Sequence, residues 1–325
     1  MKNIIETDKI MAVIEKKTVL ITTSSFGDEN PDVFEMMSNM GLTVVMNPHA
    51  RKLTSDELGD LLDKYKPNGL LAGTEPITYL IMSRAASFLK VISRVGVSVD
   101  NIDLKGAESL GIRIFRTVGV LGQAVAELTI GMMLVALRGV AIHDRLIREG
   151  KWEKRMGSLL RGKTVGIIGF GDIGRSVGVL AKAFGATILY YDPQRGTAPE
   201  WAQWRAMDDI LRDSDIITLH ASGNERILTI KELSCCKKGV IIVNTARGGL
   251  IDEGELCQSL ADGQVGFACL DVFEEEPYFG SLRQMENVLL TPHIGSYARE
   301  ARREMEKAAV HNLCDGLKEV GLYER

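Results

Sequence analysis

The stretch Lys163-Thr164-Val165-Gly166-Ile167-Ile168-Gly169-Phe170-Gly171-Asp172-Ile173-Gly174 decides how this chain is to be read. Its first half is an apolar run suited to a short buried strand; a glycine turn and a helix start follow. Gly169, Gly171 and Gly174 have the spacing G-x-G-x-x-G. The first glycine permits a tight turn, the second lets backbone approach a pyrophosphate, and the third lets the helix pack against the strand. A second apolar run, Thr187–Tyr191, ends at Asp192, about 20 residues past the loop, where a carboxylate binds ribose hydroxyls. A glycine loop alone also fits an ordinary strand–helix turn. The full strand–loop–helix–strand–acid context instead predicts a dinucleotide on the helix N-terminus, with Gly169, Gly171, Asp172, Ile173, Gly174 and Asp192 as cofactor residues. Asp192 favours NAD over NADP because it repels a 2′-phosphate; the nearby Arg195 is the one feature pulling the other way.

Outward from this loop, strand and helix patterns alternate through most of the chain, which predicts an α/β protein with parallel sheets. Before the loop the strand candidates are Thr18–Thr22, Thr43–Val45, Gly69–Ala72, Lys90–Ser93 and Arg113–Phe115, and Thr54-Ser55-Asp56-Glu57 reads as a helix capping box. After it they are Thr187–Tyr191, Ile216–Leu219, Val240–Val243, Gly266–Leu270 and Val288–Leu290. A single long helix is expected from about Ala124 to Gly150. A final helix, from about Tyr297 to Leu317, has no strand after it and is free to pack back on the first unit. The reading is therefore two doubly wound parallel-sheet domains: 117–294 for the dinucleotide, and 1–116 with 295–325 for the substrate.

With 325 residues, 45% hydrophobic and 25% charged, the chain has the composition of a globular protein too long for one core. A net charge of −4 gives no reason to expect nucleic acid or an anionic membrane as partner. Lys2, Glu6, Asp8 and Lys9 interrupt any signal-like apolar run. The most apolar helix segment, Leu128–Leu137, is too short to span a bilayer. The five cysteines, Cys235, Cys236, Cys257, Cys269 and Cys314, match neither a zinc spacing nor a disulfide framework, so no metal is expected and a cytoplasmic location is.

Chemistry gathers at strand ends in the second unit: His220, Asn244-Thr245-Ala246-Arg247, Asp271 and Thr291-Pro292-His293. In an open parallel sheet ligands bind outside the carboxyl ends of the strands, so these positions are expected to meet near the glycine loop. Glu276, in the run Glu274-Glu275-Glu276-Pro277, reads equally as a solvated turn residue or as an acid of that site.

The segments Gly96-Val97-Ser98-Val99-Asp100-Asn101-Ile102-Asp103, Val125-Ala126-Glu127-Leu128-Thr129 and Gly150-Lys151-Trp152-Glu153 belong to a recognisable pattern. So do the glycine loop, Asn244 to Glu253, Leu270-Asp271-Val272-Phe273 and Thr291-Pro292-His293-Ile294-Gly295. In this order they resemble the D-2-hydroxyacid dehydrogenases, most closely the phosphoglycerate dehydrogenase branch. The resemblance implies a flavodoxin-like substrate domain, a Rossmann NAD-binding domain and a homodimer paired through the long helix. It implies hydride transfer between nicotinamide and a small D-2-hydroxy acid or 2-keto acid, including 3-phosphoglycerate. Arg247 then looks like the substrate clamp, its planar fork suiting a carboxylate. His293 looks like the acid–base residue and Glu276 its carboxylate partner. Asp271 looks like the residue that orients the nicotinamide amide. His220, Thr245, Ala246, Arg247, His293 and Gly295 join the cofactor set. Backbone N–H groups near Val95 and Gly96 are expected to hold the substrate carboxylate. Arg94 reads either as a phosphate partner or as a structural ion pair.

The chain departs from the family pattern at Ser98, at Val118 to Gly122, at Asp172, at Ala221 and at Glu75, which is acidic where a phosphate-binding branch carries a basic residue. Two other functions fit the resemblance: a glyoxylate or hydroxypyruvate reductase, and a non-catalytic NAD-sensing scaffold like the corepressors of this fold.

Overall fold

The computed structural model describes residues 17–194, 196–223 and 225–322. Arg195, the residue bearing on coenzyme choice, lies outside them, as do the charged positions of the first 16 residues. The described residues form two compact units, 17–118 with 302–322, and 119–301.

In the first unit, β1 (Lys17–Ile21), α1 (Asp32–Asn39), β2 (Leu42–Met46), α2 (Ser55–Tyr65), β3 (Gly69–Ala72), α3 (Tyr79–Ala85), β4 (Val91–Arg94), α4 (Leu104–Ser109) and β5 (Arg113–Arg116) alternate in sequence. The five strands are all parallel and lie in the order β2-β1-β3-β4-β5. That is a doubly wound sheet of flavodoxin-like order, with its switch point between β1 and β3. Thr54 caps α2 as its sequence proposes, with the reciprocal Glu57 bond to the Thr54 N–H at 2.9 Å. Leu20, Leu70 and Ile92, on adjacent strands, are wholly buried under Leu58, Leu62 and Met82. Each such side chain contributes about 1.5–3 kcal/mol of burial.

The second unit opens with α5 (Gly122–Arg138) and α6 (Val140–Arg148). A single long helix was expected here, but Gly139 adopts φ 61° and the two helices diverge by 63°. Glycine alone takes the left-handed conformation without penalty, so the break is local in origin. No single helix among the described residues is long and apolar enough to cross a membrane. There follow β6 (Thr164–Ile168), α7 (Asp172–Ala183), β7 (Thr187–Tyr191), β8 (Ala202–Trp204), α8 (Met207–Asp213), β9 (Ile216–Leu219), α9 (Ile230–Ser234), β10 (Val240–Asn244), α10 (Glu253–Ala261), β11 (Val265–Leu270) and β12 (Val288–Leu290). The seven parallel strands are ordered β12-β11-β10-β9-β6-β7-β8. Read from β8 inward, this is the Rossmann order extended by one strand. The sheet is buried on both faces: Ile188 and Tyr190 enter one core and Leu189 the other, the period of two that a strand imposes. The edge strand β8, only three residues long, carries too little pattern to be read from sequence.

The last helix, α11 (Arg299–Glu319), returns to the first unit. Ser93 Oγ donates to the Ala309 carbonyl at 2.8 Å, and a Cβ on Gly69 would meet Leu313 at 2.8 Å. The units divide at 118 and 301 rather than at the expected 116 and 294. Thr117 N–H still bonds to Gly96 O in the first sheet, and Gly295 N–H is held by Asp271 of the second unit.

Candidate active site

The glycine loop is shaped by backbone crowding. Gly169 has φ 90°, and a Cβ there would lie 2.6 Å from the backbone of His220 and Ala221. The ends of β6 and β9 therefore touch, at the switch point of this sheet. A Cβ on Gly174 would come 2.1 Å from Gly169 O. Gly171 differs: nothing lies within 4 Å of its missing Cβ, and no side chain caps the first turn of α7. The N–H groups of a helix start with no side-chain cap, beside open space, suit an anion. Asp172 is exposed and Ile173 half-buried in that turn. At the tip of β7, the Asp192 carboxylate accepts from Phe170 N–H at 2.8 Å and Gln194 N–H at 2.9 Å. These bonds orient it beside the glycine loop.

His220 ends β9. Its Nε2 lies 2.9 Å from Thr218 Oγ1, while Nδ1 is buried with no hydrogen-bond partner among the described residues. Burial lowers its pKa to about 3, so the ring is neutral at working pH. An unsatisfied buried nitrogen next to the glycine loop is a natural ligand contact. Open space at Gly171, an oriented ribose acid and this orphan atom together fit a dinucleotide. Thr245 is turned the other way: its hydroxyl is 3.0 Å from Thr129 Oγ1 on α5 and the residue is buried. The pairing of β10 with α5 claims this side chain, and only its backbone and that of Ala246 line the edge.

After β10, Asn244 staples the turn, accepting from Ala246 N–H at 3.1 Å and donating to Arg247 O at 2.8 Å. Arg247 is half-buried, and its Nη1 donates to Ala246 O at 2.6 Å. The next residue, Gly248, packs directly on the Phe273 backbone, where a Cβ would stand 1.9 Å away. The Arg247 turn thus abuts the loop that carries Glu276. Glu276 Oε1 accepts from Phe273 N–H at 3.2 Å, and Oε2 lies 2.9 Å from His293 Nδ1. Glu276 therefore pairs with His293 rather than serving as a solvated turn. The imidazole remains 53% exposed, so its far nitrogen is accessible to a reactant.

His293 has φ 55°, a left-handed conformation costly for a residue with a side chain. Asp271, 1% exposed, holds the loop in that shape. Its carboxylate accepts from Thr291 Oγ1 at 2.5 Å, Ile294 N–H at 2.8 Å and Gly295 N–H at 2.8 Å. The family resemblance implies that Asp271 orients a nicotinamide amide; the structure adds that its carboxylate is bonded to the loop that presents His293.

In the first unit the carboxylate donors are expected near Val95 and Gly96, and two of the N–H groups there are already spent. Val95 N–H bonds to Ala72 O and Gly96 N–H to Arg94 O, both at 2.9 Å. Ladder continuation after β4 takes one and a tight turn takes the other. Among the described residues, the next two N–H groups, on Val97 and Ser98, have no hydrogen-bond partner. They are the donors this loop offers, and register along an extended loop is not legible from sequence. Arg94 is 9% exposed; its guanidinium folds back to donate to Val95 O and packs against Gly96. Among the described residues no cluster of His, Cys, Asp and Glu is arranged for a metal.

A seven-stranded parallel sheet of Rossmann order, an uncapped glycine cradle and a ribose acid define a nicotinamide-dinucleotide oxidoreductase unit. Residues 130–295 match the family model of the D-isomer specific 2-hydroxyacid dehydrogenase NAD-binding domain. A hydroxypyruvate reductase of Thermotoga maritima is 37% identical over 86% of this chain and 94% of its own. A D-3-phosphoglycerate dehydrogenase of Methanocaldococcus jannaschii is 38% identical over 89% of this chain but 55% of its own. The crystal structure of a glyoxylate reductase from Paecilomyes thermophila superposes with a TM-score of 0.83 at 30% identity, over 95% of this chain and 98% of that one. The chain belongs to the D-isomer specific 2-hydroxyacid dehydrogenase family. It is an NAD-dependent oxidoreductase.

Proposed function

We propose that this protein reduces a small 2-keto acid of the glyoxylate and hydroxypyruvate class to its D-2-hydroxy acid with NADH. The observation that carries the reading is the His293–Glu276 pair, 2.9 Å apart and half open to solvent, on loops abutting the Arg247 turn. Bound NADH supplies the hydride. Arg247 pairs with the substrate carboxylate and polarises the keto oxygen. His293, its Nδ1 held by Glu276, gives a proton from Nε2 to the oxygen as the hydroxyl forms; in the reverse direction the neutral ring takes it back. Asp271 keeps the His293 loop in its left-handed turn. The first turn of α7 holds the pyrophosphate through N–H groups near Gly171, Asp172 and Ile173, and Asp192 takes the ribose hydroxyls. His220 Nδ1 and the backbone at Thr245 and Ala246 complete the cofactor contacts.

The names of the relatives support both an unphosphorylated and a phosphorylated substrate. Steady-state turnover of glyoxylate, hydroxypyruvate, pyruvate and phosphohydroxypyruvate with NADH tests the reading. No turnover of any of them would leave the NAD-sensing scaffold.

A homodimer is part of the proposal. Val140, Ile147, Trp152, Met156 and Leu159, on α6 and the segment after it, expose large apolar side chains, Trp152 to 82%. A patch of this kind marks an association surface, and light scattering at micromolar concentration checks it. The five cysteines are unpaired, which supports a reducing, cytoplasmic location.

A further inference from the structure

Two neighbouring segments of the second unit are both acidic. Just past the Arg247 turn, the start of α10 reads Asp252-Glu253-Gly254-Glu255, and the loop after β11 reads Glu274-Glu275-Glu276. They lie against each other. Gly248 packs on the backbone of Phe273 and Glu274, and the Glu274 N–H donates to Glu253 Oε1 at 2.8 Å. Burial, and then the charges of Glu274 and Asp252, push the Glu253 carboxyl above its ordinary range.

One cation stands between the two. Arg226, in the loop after β9, forks across both: one Nη donates to the Asp252 carboxylate and the other to Glu274 Oε1 at 3.1 Å. Among the described residues no other cation is bonded to Asp252, Glu253, Glu274 or Glu275. The backbone beside Arg226 is fixed. The N–H groups of Ile227 and Leu228 both donate to Leu250 O, at 2.8 and 3.0 Å, and the Leu228 side chain is wholly buried. A guanidinium is a planar fork that binds two carboxylates in a set geometry; an ammonium is a point charge.

Glu274 is close to Glu276 in the same loop. Glu276 Oε1 takes the Phe273 N–H at 3.2 Å, and its Oε2 meets His293 Nδ1 at 2.9 Å. The Arg226 side chain is half-exposed, and exposed ion pairs add little to stability. Its effect is on placement: without it Asp252, Glu253 and Glu274 face one another uncompensated, and the Glu276 loop is driven off the Arg247 turn.

We infer that Arg226 is a positioning residue: by bridging Asp252 and Glu274 it holds the Arg247 turn and the Glu276 loop in one register, and so keeps Glu276 on His293. The inference rests on the reading of Glu276 and His293 as the acid–base pair.

Two measurements test it, one of them independent of turnover. The first is kcat and KM with NADH and a 2-keto acid. Arg226→Gln is expected to lower kcat about 10-fold and to leave KM for NADH within about 2-fold, since a loop displaced by about an ångström costs on this scale. In a Glu276→Gln background the same change is expected to alter kcat by less than about 2-fold, because its route of action is already gone. Equal losses in both backgrounds are what a merely structural tie would give, and they would overturn the inference. The second is the His293 tautomer, read from long-range proton–nitrogen NMR spectra in alkaline buffer and assigned by the signals lost in His293→Ala. The unmutated ring is expected to carry its proton on Nδ1, facing Glu276, and Arg226→Gln to shift it towards the Nε2–H form. An unchanged tautomer would overturn the inference. Arg226→Lys keeps the charge but loses the fork. It is expected to fall between, and as the milder change it carries both measurements should the glutamine variant not fold. Failure of the reductase reading looks different: no 2-keto acid is turned over, while the tautomer still decides whether Arg226 holds Glu276 on His293.

Discussion

The two sheets are wound alike but treat their carboxyl edges in opposite ways. In the second unit the switch point is kept open. Gly169 and Gly174 are crowded by backbone, yet Gly171 faces empty space and α7 has no side-chain cap. In the first unit the equivalent crevice is closed by Glu75, which takes the bonds of Thr22 and Gly73. A doubly wound sheet creates an anion site by topology; side chains decide whether it stays one. The second unit also places charged groups on three successive loops, whereas the first offers chiefly backbone N–H groups. The difference separates an edge left open to an anion from one filled by an acid of the chain itself.

The largest effect should come from the catalytic edge. His293→Ala is expected to lower kcat about 10²–10⁴-fold while NADH still binds, as measured by stopped-flow turnover and fluorescence titration. Near-normal kcat would remove His293 from the mechanism. Glu276→Gln is expected to cost less, about 10–10²-fold in kcat, because the ring keeps a hydrogen-bond acceptor but loses a countercharge.

Coenzyme choice comes next. NADH is expected to be favoured over NADPH by about 100-fold in kcat/KM, and Asp192→Ala to narrow the preference by about 10-fold, through loss of like-charge repulsion. Equal use of both coenzymes by the unmutated protein would show that the β7 acid does not discriminate.

The two kinds of glycine in the cradle can be told apart. Gly171→Val should leave the melting temperature nearly unchanged but raise KM for NADH about 10-fold or more, because the added side chain enters space meant for phosphate. Gly174→Ala should destabilise the fold by about 1–3 kcal/mol, since its Cβ collides with Gly169 O. Equal stability losses would mean that both glycines are structural.

The smallest effect concerns pH. His220 stays neutral in the folded protein down to about pH 3, whereas an unfolded imidazole takes its proton near 6.5. Between those values the unfolded chain binds more protons, so this stability is present above 6.5 and is lost as pH falls. From pH 7 to 5 the loss from this residue is about 2 kcal/mol. His220→Gln should therefore show a flatter fall in urea midpoint than the unmutated protein over that range. Parallel falls would mean that the folded ring accepts a proton.

Much of this was legible because the signals were local. The glycine spacing, the acid after β7 and the Thr54 capping box each depend on residues close in sequence. The alternating apolar runs located nearly all the strands. What was not legible shares a different cause. Gly139 sits in an apolar helical pattern, and only its left-handed φ shows the break. Thr245 lies in the family's strand-end motif, yet the packing of α5 turns its hydroxyl inward. Carboxylate donors were expected near Val95 and Gly96, and only the fold shows that those two N–H groups are committed to Ala72 and Arg94 while the next two are open. Asp271 was read from its position after a strand, whereas its three bonds to residues 291–295 need the fold to bring β11 and β12 together.

By itself, the order of residues determined the alternation of strand and helix, the dinucleotide cradle and the list of chemically competent side chains. Those properties follow from periodicity and from conformational limits on single residues. Only the tertiary structure decided which groups meet and which are already occupied. The Glu276–His293 contact spans 17 positions, and the Glu75–Thr22 bond spans 53. Hydrogen bonds saturate: a donor spent on one partner is withheld from another, and the folded chain settles which partner that is.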